Sequence, residues 1–155
     1  MRLSIVAVGR LGRAPEQALA LDYCARAAAT GRAVALTPVD LVEVEPRKPG
    51  KAAEGAAILA AVQPGERLIA CDERGRAWPS RAFAERIAAL RDQGERRLVF
   101  AVGGADGLAP EVTEAAAETL AFGPQTWPHA LARVMLAEQL YRATTLLAGS
   151  PYHRD

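Results

Sequence analysis

The sequence predicts an α/β fold, a mostly parallel sheet with helices on both faces. Three observations lead there. "LSIVAV" (Leu3–Val8) and "LVFAV" (Leu98–Val102) are continuous apolar runs, as strands covered on both faces require. Ala- and Leu-rich stretches of helical length lie between such runs, several opened by proline and closed by glycine. The two patterns alternate along the chain, the signature of a layered α/β domain.

Each element has its own justification. Leu3–Val8 is a strand closed by Gly9. "APEQALALDYCARAAATG" is a helix, with Pro15 in its first turn and Gly31 where a C-terminal glycine belongs. Ala33–Val44 reads as extended with a break at Pro38, and "EPRKPGK" as an exposed basic loop. "AAEGAAILAAV" is a short helix ending at Pro64-Gly65. "RLIACD" (Arg67–Asp72) is a strand followed by a polar turn, "ERGRAWP". Ser80–Gln93 is a helix stopped by Gly94, and Leu98–Val102 a strand running into "GGADGLAP". A helix is expected from Pro110 through Glu118, a short strand over "TLAF", and a last helix from about Pro128 to Ala148.

Bulk properties bound the function. At 155 residues, 50% hydrophobic and 24% charged, the chain suits one ordinary globular domain. A net charge of +1 supplies no global field for nucleic acid, so phosphate contacts must come from local clusters. Cys24 and Cys71 form no C-x-x-C pair and have no histidine at ligand spacing. They read as reduced thiols, and no metal site is expected. The N-terminal apolar run is too short for a signal peptide or a membrane span, so a soluble cytoplasmic protein is expected.

Two loops attract chemistry, and the turn after "LIACD" is expected to add a third wall to one pocket. "LVFAVGGADGLAP" puts glycines at the carboxyl end of a strand just before a helix, where open α/β sheets bind ligands. Its Gly-Gly-x-x-Gly spacing matches neither G-x-G-x-x-G nor a P-loop, so it reads equally as a tight turn. "AFGPQTWPHALAR" is a second strand-to-helix loop, with Pro128 at a first helical position, Thr126 as a capping candidate and Trp127 as a staple.

The ending "GSPYHRD" holds Tyr152, His153 and Arg154 beyond the last helix. Some twenty helical residues span about 30 Å, and five extended residues reach only about 18 Å. Unless the tail folds back a long way, His129 and His153 cannot share a site within one subunit: either the two ends serve different purposes, or His153 joins the pocket of a partner subunit. The helix also spreads apolar residues, Leu131, Val134, Met135, Leu136, Leu140, Tyr141, Leu146 and Leu147, over more than one face. One face can cover the sheet and another pack on a second copy, the alternative being a helix buried wholly within one subunit.

"GGADGL", "TWPHALARVMLAEQLYRA" and "GSPYHRD" together resemble the ribosomal RNA large subunit methyltransferase H family, of the SPOUT class. The resemblance spans most of the chain, including "LDY" and "DERG", and is strongest from Leu98 onward. It implies a single SPOUT domain with a deep trefoil knot in the C-terminal half, a homodimer, and S-adenosyl-L-methionine as donor. It also implies methylation of a 23S ribosomal RNA pseudouridine at ring nitrogen 3 on the assembled ribosome. The donor is then expected among three loops: the stretch ending at Cys71, the Gly103-Gly104 turn, and Gly123, Pro124, Gln125, Thr126, Trp127 and Pro128. Cys71 stands where the family commonly has leucine, and "GPQ" replaces a small apolar stretch.

In that frame His153 is the expected proton acceptor, Arg154 stabilises charge on the ring oxygens, and Tyr152 stacks on or bonds the base. His129, Arg133, Arg47, Lys48 and Lys51 are the expected RNA contacts, although each of the loop cations also reads as an ordinary surface charge. A methyltransferase on another RNA nucleotide and a non-catalytic ribosome-binding factor are the rival readings. A nucleotide-binding regulatory domain rests on the glycine turn alone.

Overall fold

The computed structural model describes residues 1–153. Eleven elements follow in order: β1 (Arg2–Val8), α1 (Pro15–Gly31), a 3-10 turn (Arg32–Val34), β2 (Val39–Val44), α2 (Lys51–Ala60), β3 (Arg67–Ala77), α3 (Ser80–Asp92), β4 (Arg97–Val102), α4 (Pro110–Ala115), β5 (Glu118–Ala121) and α5 (His129–Leu147). The five strands form one sheet in the order β2-β1-β4-β3-β5, and every pairing is parallel.

Strand periodicity explains the layers. Leu3, Ile5 and Ala7 of β1 and Leu98, Phe100 and Val102 of β4 point to one face, where α1, α3 and α5 cover them. Val6 and Val8, with Val99 and Ala101, point to the other face and meet Ile58 of α2 and Val112 of α4. These continuous apolar runs are thus buried on both sides, as the sequence predicts. Each fully buried Leu, Ile or Phe contributes about 1.5–3 kcal/mol of transfer free energy.

Four local expectations are corrected. The stretch from Ala33 is not extended throughout: it begins in the 3-10 turn, and β2 starts only after Pro38. "ERGRA" is no turn, because β3 continues to Ala77. Its pairing to β5 shifts register between Cys71 and Arg76, so the excess residues bulge while Arg76 and Ala77 rejoin Leu120 and Ala121. Gly75 sits in this bulge, where an added Cβ would lie 2.9 Å from the Leu120 backbone. The helix after Pro110 ends at Ala115, since Glu118 is taken into β5 by pairing with Ile69.

Gly31 is the fourth. It keeps helical angles (φ −63°) rather than the left-handed conformation of a terminating glycine. Its role is close approach, because a Cβ there would lie 2.0 Å from the Leu36 carbonyl oxygen.

Candidate active site

The carboxyl ends of β3, β4 and β5 open into a cleft of about 690 Å³, within the usual range for small-molecule and cofactor sites. Cys71 and Val102 pair where β3 and β4 run side by side, and β4 then stops while β3 continues. The bulged extension of β3, with Asp72, Glu73 and Arg74, becomes one wall. The Gly103–Gly107 turn is the second, and the loop from Phe122 to Pro128 is the third.

The glycine turn is both things its sequence allowed, a tight turn and a ligand wall. Gly107 N–H donates to the Gly104 carbonyl at 3.1 Å, and Gly107 has φ +78°. A Cβ on Gly103 would lie 2.6 Å from the Gly107 backbone. One on Gly104 would lie 3.0 Å from the Glu54 carboxylate, which reaches up from α2 and has one shielded oxygen with no partner among the described residues. Neither position can carry a side chain without rearrangement.

The third wall is tied down by side chains rather than capped. Thr126 Oγ1 donates to Glu73 Oε2 at 2.8 Å, clipping the loop to the β3 extension instead of capping α5. Trp127 is no staple: it stays 41% exposed, and its Nε1 donates to the Phe122 carbonyl at 3.2 Å. Pro128 stands immediately before α5, which starts at His129.

Charge in the cleft is mixed. The Arg74 hydrogen bonds hold the Asp72 carboxyl below the usual carboxylate range, so it is anionic at neutral pH. Burial pushes the Cys71 thiol up to about 12, so it is a neutral wall group and no nucleophile. Lys51 reaches the rim from the first turn of α2.

The predicted residues separate into distinct places. Cys71, Gly103, Gly104, Gln125, Thr126, Trp127, Pro128 and His129 all line this cleft, together with Lys51. Gly123 instead faces a neighbouring apolar cavity of about 430 Å³, beside Leu19, Val134 and Met135. Pro124 is exposed on the same loop. Arg47 and Lys48 are exposed in the loop before α2.

Arg133, expected to contact RNA, is fully buried. Its guanidinium donates to the Val8 and Gly9 carbonyls and to Glu43, so it ties α5 to the carboxyl end of β1. Burial pulls it below its ordinary pKa while Glu43 opposes that. In sequence, a cation buried under a helix looks no different from an exposed one.

The tail is elsewhere. Tyr152 packs on Tyr141 with ring centroids 4.5 Å apart, and its hydroxyl donates to Glu138 Oε1 at 3.0 Å. His153 Nδ1 lies 3.1 Å from Arg142 Nη1. Arg142 is about 20 Å along the α5 axis from the His129 end that lines the cleft. Arg154 lies outside the described residues. The wall expected after "LIACD" is present, with Glu73 and Arg74 in it, but as a bulged strand and not a turn, because a strand extended through a polar stretch leaves no periodicity to read.

Comparison with known proteins agrees with this architecture. A family model described as "Predicted SPOUT methyltransferase" matches residues 1–153. A protein of Caulobacter vibrioides named ribosomal RNA large subunit methyltransferase H is 64% identical over 155 residues, covering 100% of this chain and 99% of the relative. One of the same name from Phenylobacterium zucineum is 65% identical, with 100% of both chains covered. Among solved structures, a probable methylase family protein of Haemophilus influenzae superposes with a TM-score of 0.56 at 17% identity, over 99% of this chain and 70% of the other, which speaks to the fold alone. With a parallel α/β sheet, a three-walled cleft at its strand ends and a family match over nearly its whole length, the chain belongs to the SPOUT methyltransferase family.

Proposed function

We propose that this chain transfers a methyl group from S-adenosyl-L-methionine to ring nitrogen 3 of a pseudouridine in 23S ribosomal RNA, acting on the assembled ribosome as a homodimer. The observation that carries the reading is the full-length identity of 64–65% to relatives named ribosomal RNA large subunit methyltransferase H. The cleft suits the donor. Gly103 and Gly104 let a flat ring approach the backbone, Val102, Leu108 and Leu120 give an apolar floor, and Asp72, Glu73 and Asp106 offer negative charge to a cation.

When bound, S-adenosyl-L-methionine supplies a sulfonium-linked methyl for in-line displacement. The chain's own contribution is placement and electrostatics. The cleft walls orient the donor. Tyr152 and His153, and Arg154 by its position in the sequence, are the groups offered to the target base. Tyr152 and His153, held beside the far turns of α5 about 20 Å from its cleft end, suit the cleft of a second copy. The apolar cavity beside Leu19, Val134 and Met135, with Leu19 46% exposed, supports such a partner. Lys51 at the cleft rim and Arg47 and Lys48, exposed in the loop before α2, are the cations offered to phosphate, and His129 lines the cleft. The near-neutral net charge favours a preassembled ribosomal surface over free RNA. No helix among the described residues is long and apolar enough to cross a membrane, and a cytoplasmic location accords with a ribosomal substrate.

The test is methyl transfer from labelled donor to ribosomes of a strain lacking the modification, with deproteinised RNA alongside. Label on one 23S pseudouridine, mapped by mass spectrometry, is expected from ribosomes, with much less from free RNA. Label on another nucleotide, or none, would overturn the reading.

A further inference from the structure

The clasp on the tail fixes more than its position. His153 Nδ1 lies 3.1 Å from Arg142 Nη1. A guanidinium has donors only, so Nδ1 must be the acceptor. The ring is then neutral, and its proton sits on Nε2. An imidazolium would set N–H against N–H at the same contact.

We propose that Arg142 is a positioning residue that holds His153 as the Nε2–H tautomer, making the imidazole a hydrogen-bond donor to the target ring rather than its proton acceptor. The inference rests on the pseudouridine reading for its substrate, but the tautomer belongs to the protein alone.

The surroundings are built for this arrangement. Glu138 Oε1 accepts from Arg142 Nη2 at 2.5 Å and from the Tyr152 hydroxyl at 3.0 Å. The carboxylate thus aims the guanidinium at the imidazole and the phenol at itself. Burial, with Glu138 second, pushes the Tyr152 phenol up to about 12, so it remains a donor. Tyr141 stacks against Tyr152, and Tyr23 of α1 faces the same cluster with Arg26 over its ring. Among the described residues, the groups facing the clasp include Glu138, Tyr141, Arg142, Tyr152, Tyr23 and Arg26, and Arg26 in turn pairs with Asp22 at 2.8 Å.

The chemistry balances without a histidine base. The imide N3–H gives its proton to water. The resulting anion, spread over the two flanking carbonyl oxygens, receives the Nε2–H of His153 at one of them. The N3 electron pair then forms the bond to the methyl carbon, and the carbon–sulfur pair stays on the donor sulfur. Neutral imidazole with its Nδ1 lone pair engaged has no site left to take that proton.

Two measurements test this. In protein carrying 15N-histidine, the His153 signals, assigned with His153→Gln, should show protonated Nε2 and unprotonated Nδ1 as a single tautomer. Arg142→Lys should retain that pattern and Arg142→Met should give a mixture. A mixture in the unaltered protein, or a proton on Nδ1, would overturn the assignment whatever the RNA substrate proves to be. With ribosomes and donor saturating, His153→Gln, which keeps an N–H donor, should turn over at least tenfold faster than His153→Ala. The turnover of the unaltered enzyme should keep rising with pH past the ordinary imidazole range. Equal loss in both variants, with a plateau near pH 7, would restore the proton-acceptor role.

Discussion

Arg133 and Glu43, 90 residues apart in sequence, form an ion pair at 3.0 Å with the arginine side chain fully buried. Glu43 also accepts from the Leu11 backbone N–H at 2.8 Å, so one carboxylate anchors both the loop after β1 and the first turns of α5. Breaking such a pair from one side leaves an uncompensated buried charge. Arg133→Met should therefore cost about 3–5 kcal/mol, read by urea denaturation. Full stability with selective loss of RNA affinity would return Arg133 to the RNA surface.

Gly104 and Glu54 make a second pair whose members are explained by each other. Gly104→Ala presses a methyl onto the Glu54 carboxylate at about the limit of real contacts. We expect it to weaken donor binding at least tenfold, measured by calorimetry, with little change in melting temperature. Adding Glu54→Ala should recover much of that affinity by giving the methyl room. Failure of the double variant to improve on the single one would place the defect in the turn backbone.

Acid stability should depend on Glu118. The Arg86 hydrogen bonds, opposed by desolvation and aided by Arg67, hold its carboxyl below the ordinary value. A depressed carboxyl contributes stability that is present above its unfolded pKa of about 4.3 and is lost as pH falls through the folded value. Glu118→Gln should cost about 2 kcal/mol at neutral pH. The difference from the unaltered protein should shrink as pH drops below 4. A gap that stays constant to pH 3 would mean the carboxylate charge is not what matters.

Sharing of sites between subunits can be read from mixed dimers. At donor concentrations well below the Kd, a chain with the Gly104→Ala cleft and a chain lacking residues 150–155 should each be largely inactive alone. Mixed, they can assemble one dimer site from an intact cleft and an intact tail. Activity approaching a quarter of the unaltered enzyme is expected after random reassortment, since half the dimers are mixed and each holds one whole site. Mixtures no more active than the sum of the two variants would show that each tail serves its own cleft.

Much of the sheet was legible because buried strands need uninterrupted apolar runs, and Leu3–Val8 and Leu98–Val102 have nothing else to be. The walls of the cleft were legible as loops after such strands, and the resemblance of "GGADGL" and "GSPYHRD" supplied their chemistry. The β3 extension was not. Its residues Glu73 to Arg76 are polar, and only their pairing with Leu120 and Ala121 makes them part of a strand.

The sequence by itself determined the class of fold, the order of most elements, the family, and the separation of tail from cleft, because these follow from local periodicity, motif and helix length. Tertiary structure decided which charges are tools and which are struts. Arg133 and Lys51 are both cations in the sequence, yet one is sealed beneath the end of β1 and the other stands at the cleft rim. That difference arises only when distant segments meet and exclude water from one site and not the other, which no local pattern encodes.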